Sequence, residues 1–293
     1  MLIQNLEHVK RIEARWEFGS EKPSIGGMVT LLTEINLIAL YFEIPNVDFR
    51  VVAKRKIYSE IRETMENLIV ASDIFPQIAF SRTGNMVLGL KKNTYPEHFE
   101  ELPKKIAIYS TERLSAIYRL TNIKPELKIQ FPNDLLNSLP ITMSGYLVVN
   151  FRMSKSTQQQ RNDYDKWNRV AVALNKVHNK PVFLVGDGDA KLYFDRNKEM
   201  LFKDLPLSWQ LGIVQNADFA CGMASGMMSA CMFASTPYLI FKDPNEHADQ
   251  IAREIDDNGH LPWGLDSQRI FRSHCTYDEA MVAIEHDLAA GAL

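Results

Sequence analysis

Residues 219–241 read FACGMASGMMSACMFASTPYLIF, a run of 23 residues without a charged side chain. A helix of that length could cross a bilayer. Gly222, Ser225, Gly226, Ser229, Ser235, Thr236 and Pro237 divide it into short pieces instead. FAC reads as a strand, GMASG as a turn, MMSACMFA as a helix and YLIF as a second strand. Strands of a parallel sheet are covered on both faces by crossover helices, and they produce the same charge-free pattern. The stretch therefore predicts a strand–turn–helix–strand unit inside an α/β sheet.

Working outward, the same alternation continues through the C-terminal half. YLVVNF at 146–151 is a β-rich run, followed by the polar segment MSKSTQQQRN, which reads as a loop. Asp163 has the character of an N-cap, after which Trp167, Val170, Leu174 and Val177 recur at helical spacing. Asn179 and Pro181 end that helix, and VFLV at 182–185 is a short buried strand running into Gly186-Asp187-Gly188-Asp189. Helices are expected at 207–216, 245–257 and 277–288. In the N-terminal half, strands are expected at 49–53, 78–80, 86–90 and 106–109, and helices at 30–41, 58–71, 112–121 and 133–137. Strands alternating with helices argue for parallel sheets of the doubly wound type. LPITMSG at 139–145 has the Pro, Ser and Gly of a linker. It sets the expected division at 1–143 and 144–293, two domains being the natural number for 293 residues at about 150 per domain.

Composition narrows the function. Apolar residues make up 46% of the chain and charged residues 24%, enough for ordinary cores. Lys and Arg number 33 against 36 Asp and Glu, a net charge of −3 that leaves no footprint for a nucleic-acid partner. Cys221, Cys231 and Cys275 form no CxxC pair, so neither a disulfide framework nor a zinc site is suggested. Glu7, Lys10 and Arg11 stand ahead of any long apolar run, so a cytoplasmic protein without a secretory signal or transmembrane segment is expected. The histidines make no HExxH, and there is no Gly-x-Ser-x-Gly or Walker sequence.

Four segments carry chemical potential. Gly222-Met223-Ala224-Ser225-Gly226, with Met227, lies between a strand and a helix, where free backbone N–H groups would favour a phosphate; a turn needing Gly for packing alone explains it equally well. Asn150-Phe151-Arg152 ends a strand, and Arg161-Asn162 closes the following loop. Arginines at the carboxyl ends of parallel strands face the crevice where such sheets bind ligands, and the guanidinium fork matches phosphate oxygens. Asp187-Gly188-Asp189 is either an acidic turn or half of a cation site, and no second carboxylate pair accompanies it. Gly26-Gly27 precedes an apolar helix expected to begin near Met28, but follows no clear strand, so a dinucleotide-binding fingerprint is not met.

Residues 205–241 resemble the nucleotide-sugar-binding half of GT-B-fold glycosyltransferases, particularly the heptosyltransferase-like group. Leu207, Ala217, Asp218, Ser225, Gly226, Thr236 and Pro237 fall at matching places. NFRMSKSTQQQRNDYDKW, followed by VFLVGD, is similar to bacterial GT-B proteins in which one strand ends in Arg, an Arg-Asn precedes a helix, and the next strand ends in Gly-Asp. Two positions depart from the group: Ala224 stands where Asp is usual, and Ser229 where His is usual. The resemblance implies two Rossmann-like domains facing a cleft and a metal-independent glycosyltransferase with a nucleoside-diphosphate sugar as co-substrate and no cofactor. It implies a glycan or lipid-linked acceptor, with peripheral membrane contact as one way to reach it. It further implies that Asn150, Arg152, Arg161, Asn162, Gly186, Asp187, Gly222, Ser225, Gly226 and Met227 line the donor site. Arg152 then supports catalysis, and Glu21, in EFGSE at 17–21, is the local candidate for the base. A sugar-nucleotide epimerase and a non-catalytic sugar-nucleotide-binding protein are the competing readings.

Overall fold

The computed structural model describes residues 12–17, 25–41, 47–52, 79–80, 111–139, 145–152, 157–196, 198–244, 254–273 and 275–289. The chain divides into two compact units, Met1–Lys128 and Ile129–Leu293.

In the first unit, β1 (Ile12–Glu17), β2 (Val47–Val52) and the short β3 (Ala79–Phe80) form a parallel sheet in the order β1-β2-β3. Helix α1 (Ile25–Tyr41) crosses between β1 and β2, the connection that parallel strands require. Met28, Val29, Leu32 and Leu37 are buried along α1. Asn36 Nδ2 donates to the Glu126 carbonyl at 3.0 Å, beyond the end of α2 (Thr111–Thr121). The helix begins at Ile25, so Gly26-Gly27 lies within its first turn instead of ahead of it. The expected elements at 58–71, 86–90 and 106–109 lie outside the described residues, as does Glu21.

The second unit is built on a seven-stranded sheet. Its strands are β4 (Leu147–Asn150), β5 (Val182–Asp187), β6 (Asp189–Phe194), β7 (Lys198–Phe202), β8 (Phe219–Met223), β9 (Tyr238–Lys242) and β10 (Gln268–Arg272). Their spatial order is β10-β9-β8-β4-β5-β6-β7. The pairs β4–β5, β4–β8, β8–β9 and β9–β10 are parallel, whereas β6 and β7 extend one side as an antiparallel hairpin. Period-2 alternation divides the buried strands between two faces. Leu147, Val149, Val182, Leu184, Phe219, Cys221, Leu239 and Phe241 share one core with Trp167, Val170, Ala171 and Leu174 of α4 (Thr157–His178) and Ala280 and Ile284 of α6 (Tyr277–Asp287). On the other face, Tyr146 donates its hydroxyl to the Ile213 carbonyl of α5 (Leu207–Gln215) at 2.8 Å. Val177, expected on the apolar stripe of α4, is 63% exposed.

The sequence differs from the structure at four informative places. Helix α4 starts at Thr157, so the polar loop ends earlier than expected and Asp163 lies inside the helix. The helix expected after β8 is a six-residue 3₁₀ segment, Met228–Phe233. The β6–β7 hairpin and β10 were not expected at all. The division between units falls at Lys128/Ile129, ahead of the expected 143/144. Its physical reason is that residues 129–132 are stitched to α5. Gln215 Oε1 accepts from the Ile129 N–H, Asn216 Nδ2 donates to the Ile129 carbonyl at 2.8 Å, and the Gln130 carbonyl lies 2.4 Å from where a Cβ on Gly212 would sit. The Phe131 ring packs edge-on against Tyr146 at 5.6 Å, and α3 (Asn133–Ser138) follows directly.

Candidate functional site

From β4 the chain crosses by α4 to β5 on one side, then returns through α5 to β8 on the other side of β4. The direction of winding thus reverses between β4 and β8. In an open α/β sheet the crevice at such a switch point, outside the carboxyl ends of the two strands, is where a ligand can reach backbone N–H groups without displacing a helix. Asn150 and Gly222 are register partners at that place.

Asn150 is fully buried. Its Nδ2 donates to the Met223 carbonyl and to Ser225 Oγ, both at 3.0 Å. The Met223 carbonyl can only accept, so it fixes which end of the amide faces β8. Asn150 Oδ1 has no hydrogen-bond partner among the described residues. Ser225 Oγ also accepts from the Met228 N–H at 3.4 Å, and Ser229 Oγ donates to the Ser225 carbonyl at 3.4 Å. The backbone of the turn is tied to β9 by the Ala224 N–H donating to the Phe241 carbonyl at 2.7 Å. Two residues singled out in the sequence 75 positions apart are therefore bonded at the switch point.

The two strand-end glycines have a packing reason. Gly222 has φ +145°, and a Cβ there would stand 2.1 Å from the Asn150 carbonyl oxygen. Gly186 has φ +151°, and its Cβ would stand 2.3 Å from the Phe151 carbonyl oxygen. Both let β8 and β5 close on the end of β4. Asp187-Gly188-Asp189 is the tight connection of the β5–β6 hairpin, with Asp187 and Asp189 opposite each other and Gly188 at φ +66°. Asp189 Oδ1 accepts from the Asp204 N–H at 2.8 Å, and the Gly188 carbonyl accepts from the Leu205 N–H at 2.6 Å and from Gln210 Nε2 at 3.1 Å. No group of three or more metal-ligating side chains occurs among the described residues.

Arg152 follows β4 at its carboxyl end and is half-buried. Phe151 belongs to the α4 side of the sheet, edge-on to Tyr164 at 5.2 Å. Arg161 and Asn162 lie in the second turn of α4, so they belong to a helix and not to a loop that folds over the site. Gly226 and Met227 form the turn between β8 and the 3₁₀ segment, where Gly226 is half-buried and Met227 buried. That segment is too short for a helix dipole of consequence, which removes the expected helix-terminus contribution to anion binding. The Met223 carbonyl, a backbone group, carries no mark in the sequence as part of the network. Its only signal was Asn150 itself, a polar residue closing the apolar run YLVV.

No thiol in this half of the chain is poised for reaction. Cys221, Cys231 and Cys275 are buried and free. Burial drives the Cys221 and Cys231 thiols far above their ordinary range, and pushes Cys275 up to about 12 against the opposing pull of Lys166. Tyr146 is likewise held protonated, chiefly by burial and secondarily by Asp218.

No family profile matches the chain, and no curated protein matches it by sequence. Among solved structures it is similar to the bacterial iron-containing dodecameric glycosyltransferase TibC from enterotoxigenic E. coli H10407. The identity is 15% and the TM-score 0.42, over 92% of this chain and 65% of that one. It is also similar to the dodecameric iron-containing heptosyltransferase TibC in complex with ADP-D-beta-D-heptose, at 14% identity and a TM-score of 0.41, over 92% and 65% of the two chains. The chain thus spans less than two thirds of the length of these structures. No helix among the described residues is long and apolar enough to cross a membrane.

Proposed function

We propose that the chain is a GT-B-like glycosyltransferase that takes a nucleoside-diphosphate sugar and passes the sugar to a hydroxyl of a glycan or lipid-linked acceptor. The observation that carries this reading is the Asn150–Ser225 hydrogen bond at the switch point of a doubly wound sheet. It sits on the segments, 146–187 and 205–241, that resemble the nucleotide-sugar-binding half of that fold. In such a reaction the bond from the anomeric carbon to the diphosphate oxygen breaks as the acceptor oxygen bonds to that carbon. The leaving diphosphate gathers negative charge, which fixed donors must meet. Arg152 and the Ser225–Met227 turn supply those donors, so the chemistry runs without a metal. The acceptor proton passes to a carboxylate, for which Glu21 is the candidate.

The test is release of nucleoside diphosphate from a panel of sugar nucleotides, with and without glycan acceptors. Acceptor-dependent release supports transfer. Interconversion of the sugar without an acceptor would identify an epimerase. Tight binding without turnover would identify a sugar-nucleotide-binding protein, the outcome to which Ser229 in place of the usual His lends support, and no binding at all would sink the reading. Removing Arg152 as Arg152→Ala should lower turnover about 30- to 1,000-fold, the loss of a charge-assisted pair of roughly 2–4 kcal/mol. Arg152→Lys should also be impaired because an ammonium lacks the guanidinium fork. Wild-type turnover in Arg152→Ala would remove it from the mechanism.

A further inference from the structure

Asn150 is an expensive residue for its position. It stands in the middle strand of the seven-stranded sheet, fully buried, with Oδ1 unpartnered among the described residues, where Val or Leu would bury as well without an orphaned polar atom. Its constraint comes entirely through Nδ2, which is spent on the Met223 carbonyl and on Ser225 Oγ. A hydroxyl oxygen has two lone pairs and one proton. Both lone pairs of Ser225 Oγ are engaged, by Asn150 Nδ2 at 3.0 Å and by the Met228 N–H at 3.4 Å. The hydroxyl proton must then point away from both donors, and it has no acceptor among the described residues. Ser225 is half-buried at the junction of β4 and β8, so the proton is open to a ligand there.

We infer that Asn150 is a positioning residue: it locks Ser225 as a hydrogen-bond donor aimed at an anionic oxygen of the ligand, a phosphate oxygen of a nucleoside diphosphate. This rests on the donor-site reading above and adds to it the reason for a buried asparagine. Without Asn150 the Ser225 hydroxyl is free to rotate, and it can turn its proton toward the Met223 carbonyl to which Asn150 no longer donates. The role is thus indirect, and it must vanish when the serine hydroxyl is absent.

A double-mutant cycle on binding measures this. The probes are ADP, UDP, GDP, CDP and dTDP, with inorganic pyrophosphate as the anion lacking a nucleoside, titrated calorimetrically into the full chain. Ser225→Ala should weaken binding of the preferred diphosphate about 10- to 100-fold, as expected for a hydrogen bond to a charged acceptor. Ser225→Thr, which keeps the hydroxyl, should stay within about threefold. Asn150→Leu, similar in shape, should weaken binding about tenfold alone, and less than about twofold in the Ser225→Ala background. Melting temperatures of all variants are recorded beside the affinities. Additive losses, or wild-type affinity in Asn150→Leu, overturn the positioning role while leaving the donor site standing. If Asn150→Leu does not fold, Ser225→Ala and Ser225→Thr decide: equal losses in both overturn the directed hydroxyl. Wild-type protein that binds none of the diphosphates overturns the donor-site reading and the positioning role together. Pyrophosphate binding that ignores Ser225→Ala places the anion elsewhere and overturns the inference alone.

Discussion

At Gly222 a side chain would have to occupy the space of the Asn150 carbonyl oxygen, 2.1 Å from the Cβ position, on a backbone with φ +145°. Backbone strain and overpacking act together there, so Gly222→Ala should cost about 3 kcal/mol or more in unfolding free energy. Gly188 offers the contrast: nothing among the described residues lies within 4 Å of a Cβ, and its φ of +66° is what resists substitution. Gly188→Ala should cost about 1 kcal/mol, and Gly188→Asn less, since Asn tolerates the left-handed region. Denaturant titration of the three variants checks the ranking, and equal losses would show that strand closure is not what demands Gly222. The glycines were legible as special from their place after strands. Their reason was not, because the atoms that exclude a Cβ belong to β4, distant in sequence. The same holds for Asn150 and Ser225, each visible as a polar interruption of an apolar run, neither visible as the partner of the other.

The elements themselves were legible where burial imposes one pattern. Strands β4, β5, β8 and β9 read as short apolar runs because both faces of a parallel sheet are covered. β10 (QRIFR) and the β6–β7 hairpin carry Lys, Arg, Glu and Asp because they lie toward the sheet's edges, and so they lacked that signature. The 3₁₀ segment after β8 reads as helix by composition, but at six residues it is held by its contacts, not by its length. The turn ahead of it remains the place to test close ligand approach: Gly226→Val should reduce nucleoside diphosphate affinity about tenfold or more while leaving the melting temperature near wild type. Unchanged affinity would make it a packing turn. Helix α6 tests a different point. Thr276 Oγ1 accepts from the Glu279 N–H, and the Glu279 carboxylate accepts from the Thr276 N–H at 2.8 Å and hydroxyl at 3.0 Å. Those bonds hold the Glu279 carboxyl below its ordinary value, the Thr276 N–H foremost. A folded-state pKa below the unfolded one stabilises above the unfolded value and is lost as pH falls through the folded one. Thr276→Ala should therefore lower the melting temperature at neutral pH, and the gap should narrow as the pH drops below the ordinary glutamate range. A gap that widened in acid would contradict the capping box.

At the scale of the molecule, the sequence placed the division by linker composition, whereas contacts place it at Lys128/Ile129. Composition finds Pro, Ser and Gly at 139–145, but it cannot show that Ile129 and Gln130 already lie against α5. The difference has a measurable consequence for autonomous folding. A fragment spanning 129–293 keeps the seven-stranded sheet, the switch point and the residues that seal α5. A fragment spanning 144–293 keeps the sheet and the switch point but loses Ile129 and Leu135, each buried to 2% exposure. It also strips Gln215 and Asn216 of their bonds to the Ile129 backbone. Burial of an aliphatic side chain contributes about 1.5–3 kcal/mol, and each lost hydrogen bond about 0.5–1.5 kcal/mol. Together these losses approach the whole of a domain's stability, roughly 5–15 kcal/mol. The longer fragment should unfold in one cooperative transition and show the same diphosphate-induced rise in melting temperature as the full chain. The shorter fragment should melt far lower or fail to fold. Equal stability of the two would mean that the strap at 129–132 contributes little and that the linker marks the true boundary. A 129–293 fragment that folds yet no longer binds a diphosphate bound by the full chain would show that the β4–β8 junction is not sufficient for the donor.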